Sequence, residues 1–378
     1  MRVAAITGFL LNCLLYGCIT PYEQSGIDPY QDLLVVDGVI TNGTTVITLS
    51  KAIGLSAWFS DKVYVENATL YVECEDGERS NVSLYEGEGR YLIETPTLNT
   101  ELTYRLKIYL DGKEYQSNYL APLTTPEVTT SWYYDLDEGI TVCVSTHDEQ
   151  EQYRHYLWSY REYWEITSEF NMDTFYFEGK TMINDISSSN NYYRCWKQNS
   201  PDQFYIASTE QLSSNTIYDH ALNNFSWSDE RVSTLYCMEV KQNLIRKDAY
   251  RYLSNIQKNA AQTGDLFSLI PAEIPGNITC ISHPNTAVIG FVEVSTTSEK
   301  KQWIKSEEAY TQISTICEII WDARGLQIQP NWAYYYLMVG GVPKKFWSPV
   351  TCLDCTYEGM YGIKGTKEKP SFWPNDHM

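Results

Sequence analysis

Basic residues are scarce in this chain: 28 Lys and Arg stand against 48 Asp and Glu, a formal net charge of −20 at pH 7. A nucleic-acid partner needs Lys and Arg to neutralise phosphates, so duplex or RNA binding is excluded. The same imbalance argues against the folded protein adhering to anionic lipid headgroups through its own surface. No apolar run reaches the roughly 20 residues that a helix needs to cross a hydrocarbon core. Histidine is sparse, with five residues, and no His-Glu-x-x-His pattern occurs, which removes the usual zinc-hydrolase signature. His147 and His155, near Asp148, Glu149 and Glu151, could gather round a cation, but a solvated polar loop is the plainer reading. A Gly-x-Ser-x-Gly nucleophile elbow is missing. Glu86-Gly87-Glu88-Gly89 lacks the third glycine and the helix of a dinucleotide loop and reads as a turn. There is no internal repeat and no block of like charge.

What is present begins at the amino terminus. Met1 and Arg2 precede an apolar run from Val3 to Tyr16, broken by Thr7, Gly8 and Asn12. That run has the length and flanks of a secretory signal. It ends Leu15-Tyr16-Gly17-Cys18, which resembles a bacterial lipobox, with Tyr16 bulkier than usual and Cys18 as the residue to be acylated. Residues 1–17 therefore read as a lipoprotein signal peptide and Cys18 as the lipid anchor. Several buried acyl chains, at about 0.8 kcal/mol per methylene, give stable anchoring. Residues 18–32, punctuated by Pro21, Gly26 and Pro29, read as a tether. The expected location is the outer membrane, on the cell surface or the periplasmic face.

Ten cysteines suit an exported chain. Setting aside Cys13 in the signal and Cys18, eight are left, and their connectivity is open. Cys74, Cys143 and Cys317 sit in strand-like runs that would bury them as thiols. Cys195, Cys280, Cys352 and Cys355 are the expected disulfide formers. Cys352-Leu353-Asp354-Cys355 does not open a helix after a strand, as a redox site requires, and it has no second pair with zinc-ligand spacing. No metal or cofactor is expected.

From Leu33 to Leu120 the chain alternates with period two. Ala68, Leu70, Val72 and Cys74 share one face before the turn Glu75-Asp76-Gly77, and Tyr104, Leu106, Ile108 and Leu110 precede Asp111-Gly112, a hairpin signal of the primed-turn kind. Residues 33–120 therefore read as an Ig-like β-sandwich, and 121–127, marked by proline, as a linker. Residues 128–378 read as a larger β-rich domain with a cysteine-bearing tail. Strand-like runs stand at Trp132–Tyr134, Ile140–Val144, Ala287–Val294, Ile313–Ile320 and Trp332–Val339. One helix is expected near 248–263, capped by Asp248, striped by Ala249, Leu253, Ile256 and Ala260, and stopped at Gly264. The fold class is mainly β.

Aromatics are abundant, with 31 Tyr and 11 Trp. If Tyr153–Ile166 is a strand, alternation puts Tyr156, Trp158 and Tyr160 on one face. Exposed, they would form a binding face for sugars, peptides or a protein; buried, they fill the core. Acidic pairs able to act as glycosidase carboxylates need only converge in space, and 48 acidic residues give no way to select two.

The order of features resembles a known group. Cys18 is followed by Leu34-Val35-Val36-Asp37-Gly38, Tyr192-Tyr193-Arg194-Cys195-Trp196 and Ala249-Tyr250-Arg251-Tyr252. Then come Pro271-Ala272-Glu273-Ile274-Pro275-Gly276-Asn277-Ile278 and Val288-Ile289-Gly290-Phe291-Val292-Glu293-Val294-Ser295. Last are Cys352-Leu353-Asp354-Cys355 and Lys369-Pro370-Ser371-Phe372-Trp373. Together these are similar to the Bacteroidota lipoproteins catalogued as domain of unknown function (DUF) 4249. The resemblance implies an outer-membrane lipoprotein, often encoded beside a TonB-dependent receptor, and supplies no catalytic residues. The expected function is that of a non-enzymatic accessory protein of a TonB-dependent uptake system, binding the receptor or an unidentified ligand. A cell-envelope hydrolase acting on glycans or peptides and an adhesive or structural surface lipoprotein are the alternatives.

Overall fold

The computed structural model describes residues 33–52, 63–150, 152–185, 190–201, 203–263, 276–309, 317–321, 327–358 and 361–375. The expected signal (residues 1–17), Cys18 and the expected tether lie outside the described residues, as do Gly264 and the side chain of Ala260. The fold is mainly β, as expected. Strands β1 (Leu34–Ile40), β2 (Gly43–Lys51), β3 (Thr69–Cys74), β4 (Leu84–Gly87), β5 (Arg90–Thr95), β6 (Tyr104–Leu110) and β7 (Lys113–Ser117) come first. They are followed by β8 (Val128–Asp135), β9 (Gly139–His147), β10 (His155–Thr167), β11 (Thr174–Phe177), β12 (Lys180–Ile183), β13 (Arg194–Asn199), β14 (Tyr205–Ser208), β15 (Thr216–Phe225) and β16 (Leu235–Leu244). The helix α1 (Lys247–Thr263) leads to β17 (Ile278–Cys280), β18 (Val288–Gly290), β19 (Glu293–Val294), β20 (Thr297–Lys305), β21 (Trp332–Val339) and β22 (Val342–Pro349).

The first unit is a pair of sheets over one core. Leu34, Val36, Ile47 and Leu49 from the sheet β18-β1-β2-β5-β4 meet Leu70, Val72, Leu106 and Ile108 from the sheet β17-β7-β6-β3. Each such aliphatic side chain contributes about 1.5–3 kcal/mol by leaving water. Asp111 (φ 49°) and Gly112 (φ 73°) are both left-handed, the conformation a two-residue primed turn requires, and they set the Leu110↔Lys113 register. Three strands of this unit arrive from far along the chain, a difference from the 33–120 boundary. β17 pairs with β7, while β18 and β19 run parallel to β1, with Leu34 opposite Val288 and Val39 opposite Glu293. A parallel partner is joined by no local turn, so sequence pattern carries no trace of it. Gly290 allows the approach: at φ +151°, a Cβ there would stand 2.4 Å from the Val36 carbonyl oxygen.

The second unit packs the sheet β15-β9-β8 against β13-β10-β16-β20, with β14 also on β10. Its core is aromatic, with Tyr156, Trp158, Trp164 and Tyr236 against Val142, Val144 and Phe225. Several polar groups inside it are paired, although Trp164 Nε1 has no hydrogen-bond partner among the described residues. Trp158 Nε1 donates to Gln242 Oε1 at 2.8 Å, and Gln242 Nε2 donates to Thr146 Oγ1 at 3.0 Å. Fully buried Glu162 accepts from Tyr236 Oη (2.7 Å), Arg231 Nη1 (2.8 Å), Asn223 Nδ2 (2.9 Å) and Asn199 Nδ2 (3.2 Å). Burial works against the charge of Arg231, but the hydrogen bonds it donates to Asp229 and the negative charge of Glu162 outweigh it and hold the guanidinium protonated.

Two stretches of chain connect the units side by side. Leu123 N donates to Val294 O at 3.0 Å and Thr296 N to Leu123 O at 2.9 Å, so residues 121–127 lie against the run after β19. Close by, Arg246 of the second unit pairs with buried Glu293 of the first. Burial raises the Glu293 pKa despite that partner.

A small third sheet, β12-β11-β21-β22, buries Phe175, Phe177, Tyr335, Val350 and Leu353. Disulfides join Cys195 to Cys355 and Cys317 to Cys352. Cys195, Cys352 and Cys355 are therefore bonded as expected, whereas Cys280 is not: β17 points it into the first core as a free thiol. Cys317 takes its place, because the strand expected over 313–320 is not one where it is described: residues 317–319 are irregular, and Ile320 makes a single bridge to Trp347. Cys74, Cys143 and Cys237 are also buried thiols; burial pushes Cys237 up to about 12, which suppresses its thiolate. The tail then crosses the outer face of the second unit, where Trp373 Nε1 donates to Glu165 Oε2 at 2.8 Å.

Candidate ligand-binding cleft

Alternation along β10 divides its side chains into two sets. Tyr156, Trp158 and Tyr160 point inward and are 0, 0 and 6% exposed. The aromatic binding face expected there is therefore corrected to core: these rings lie between two sheets, where burying them is most favourable. The opposite set, Leu157, Ser159 and Arg161, faces a cleft of about 310 Å³ between the two units. Tyr163 and Glu165, further along the same face, are covered by Phe372 and Trp373 of the tail, so the tail limits the exposed part of this face to its first half.

The facing wall is the outer side of β1 and β2, which brings Asp37, Thr44, Val46, Thr48 and Ser50 to the cleft, with Arg90 from β5. On the near wall β16 adds Glu239, Lys241 and Asn243, and β20 adds Thr297, whose Oγ1 donates to Thr41 Oγ1 at 2.9 Å across the junction. One end is closed by apolar groups: Tyr252, Leu253 and Ile256 of α1 with Phe204 and Phe291. The helix stripe expected at Ala249, Leu253 and Ile256 is present with Ala249 and Ile256 buried, but Tyr252 joins them at 4% exposed. Its i, i+4 spacing to Ile256 was the available signal.

Most charges in the cleft are compensated. Glu239 accepts from Lys301 at 2.6 Å, Lys241 pairs with Glu299 at 2.7 Å and Arg90 with Glu86 at 3.4 Å. Arg161 differs: its guanidinium makes no hydrogen bond or ion pair among the described residues. Tyr252 is the second exception. Its hydroxyl is buried without a hydrogen-bond partner; the Gly290 backbone is near but outside bonding geometry. Burial, assisted by the charge of Asp37, raises its pKa and keeps the phenol protonated. An unsatisfied buried hydroxyl costs about 1–3 kcal/mol.

A second recess of about 340 Å³ is lined by His155, Glu210 and Lys247. His155 Nε2 lies 3.4 Å from Glu210, its ring stacks on Tyr250 at 4.6 Å, and burial lowers its pKa. The cation cluster considered for His147 and His155 does not assemble among the described residues. His147 instead bonds Thr216, and Asp148 accepts from Gln150 and Asn215.

The model of one protein family, described as Domain of unknown function (DUF4249), matches residues 19–301. That span contains the first unit, the second unit up to the middle of β20, and every wall of the cleft. No curated protein matches the chain.

Proposed function

Because the chain belongs to the DUF4249 family, we propose that it is a lipid-anchored accessory protein of an outer-membrane, TonB-dependent uptake system that holds a ligand in the cleft between its two sandwich units. The observation that carries the reading is a cation at Arg161 with no partner among the described residues, lining one cleft with hydroxyl-bearing Thr44, Thr48 and Ser159 and an apolar end at Leu253, Ile256 and Phe291. Pockets that hold small molecules combine apolar surface with a few convergent polar groups in this way. The chemistry fits a small molecule bearing a carboxylate and an apolar portion, since a guanidinium binds a carboxylate bidentately. The lipobox at Cys18 supports the anchor, and the family resemblance supports the receptor.

Two measurements test it. Purification from solubilised outer membranes is expected to recover a TonB-dependent receptor with the protein; recovery as a lone monomer counts against the accessory role. For the cleft, the probes are short apolar peptides with a free carboxyl terminus and their amidated counterparts. The free acids are expected to bind, and Arg161→Ala to weaken them about 10–100-fold, the value of a charge-assisted hydrogen bond. Equal affinity for the amides would remove Arg161 from the site. Hydrolysis of the peptides would favour the enzyme reading instead.

A further inference from the structure

The third sheet ends in a hairpin that leaves the body of the protein. From Tyr336 to Pro343, the end of β21 and the start of β22, every residue is exposed. The tip reads Leu337-Met338-Val339-Gly340-Gly341-Val342, with Met338 68% and Val342 58% exposed. Soluble proteins seldom display a contiguous apolar segment of this kind without a use for it. The family match ends at residue 301, so the hairpin is no part of the matched segment or of the cleft.

Charge is distributed unevenly too. In a chain carrying 48 acidic residues, none falls between Gln327 and Leu353, where Lys344 and Lys345 are the only charged side chains. Both lysines sit one step back from the tip against aromatic rings. Lys345 Nζ lies 3.5 Å from the Tyr334 ring centroid and 4.3 Å from that of Trp347, and Lys344 Nζ lies 5.1 Å from that of Trp321. Going back from the tip, the hairpin is apolar, then aromatic and cationic.

We propose that the β21–β22 hairpin seats its tip in the headgroup–acyl boundary of an anionic phospholipid bilayer. Aliphatic side chains enter the acyl region, Tyr and Trp lie at the interface, and lysines reach the phosphates over their own methylene stems. The acidic whole chain hides this local site: the hairpin's own charges are Lys344 and Lys345, with Asp173 next to β11 as the acidic residue in register beside β21. Surface potential from the more distant acidic residues decays within a Debye length of about 8 Å. A 14-residue segment from 19 to 32 spans at most roughly 50 Å, so an anchor at Cys18 leaves the body close to the bilayer. The contact does not depend on the cleft, and the assay below omits the acyl anchor, so this proposal and the preceding one fail separately.

The test uses the mature chain with Cys18→Ala and vesicles of phosphatidylethanolamine with phosphatidylglycerol, or of phosphatidylcholine alone. The protein is expected to sediment with the anionic vesicles, and Leu337→Asp with Met338→Asp to abolish this. Lys344→Ser with Lys345→Ser is expected to weaken it about 30-fold, as two surface lysines should. These side chains are exposed or half-buried, so circular dichroism and thermal melting should stay unchanged. A fluorophore at Met338→Cys should shift to the blue on vesicles, and one at Tyr218→Cys, 81% exposed in the second unit, should not. Failure of the unaltered chain to bind vesicles overturns the proposal, as does full binding by the tip variant. Loss of a co-purifying membrane protein on tip mutation, without vesicle binding, would assign the hairpin to a protein partner and equally overturn it.

Discussion

The two units solve the same packing problem with different materials. The first fills its interior mainly with Val, Ile and Leu, with Tyr91, Tyr104 and Tyr115 among them, and alternation along β3 and β6 predicts its faces. The second uses Trp and Tyr together with a buried carboxylate and guanidinium, each with its hydrogen bonds satisfied. An aliphatic interior tolerates small shifts of position, whereas Glu162 and Arg231 are favourable only in one arrangement. The comparison suggests that the first unit's strand pairing is selected mainly by pattern and the second's by directional bonds.

The largest effect expected on that contrast comes from Glu162→Ala. It leaves Arg231 partly uncompensated and should destabilise the second unit by about 3–5 kcal/mol. Hydrogen exchange in denaturant should show β8–β16 losing protection while β2–β6 keep theirs; equal loss in both would mean the units unfold as one. Glu162→Gln, which keeps an acceptor, should cost less.

A smaller effect is expected from the crosslinks. Cys355→Ser should cost about 2–4 kcal/mol, seen as earlier exposure of the tail and β13. Peptide mapping without reduction should return Cys195–Cys355 and Cys317–Cys352, with Cys280 alkylated only on unfolding. Recovery of Cys280 in a disulfide would contradict the structure.

Acidification should separate the units most gently. His155 and His220 lie in the second unit, and burial lowers the pKa of both from 6.5. Below about pH 6.5 the unfolded chain binds protons that these folded histidines refuse, so stability falls as pH drops towards their folded values. In the first unit, Glu73 is held below its ordinary 4.5: burial opposes this, but Arg105, Tyr119 and Arg79 prevail. Its contribution is present above pH 4.5 and is lost only as pH falls through the lower folded value. Exchange between pH 7 and 5 should therefore loosen β10 and β15 before β3; the reverse order would count against it.

Local features were legible. The β6–β7 hairpin follows from Asp111-Gly112, and β21 occupies Trp332–Val339 as alternation predicts. β10 shows where legibility stops. Alternation separates Tyr156, Trp158 and Tyr160 from Leu157, Ser159 and Arg161, but cannot say which set is inside when both faces of a sheet are partly covered. The cleft was hidden for that reason, since its cation belongs to the set passed over. Pairing at long range was equally silent: no local residue records that Val288 will lie beside Leu34, or that Cys317 rather than Cys280 will meet a tail cysteine.

The parallel seam between β1 and residues 288–294 has a consequence for the order of assembly. A chain emerging amino end first presents β1 long before its outer neighbour exists, and more than half of the polypeptide is made in between. Until Val294 appears, one side of the earliest strand is a bare row of backbone donors and acceptors, open to any extended segment that arrives first. In topological terms the two units interleave: β17, β18 and β19 return to the first before β20 completes the sheet of the second, so the oldest strand waits for one of the later returns of the chain.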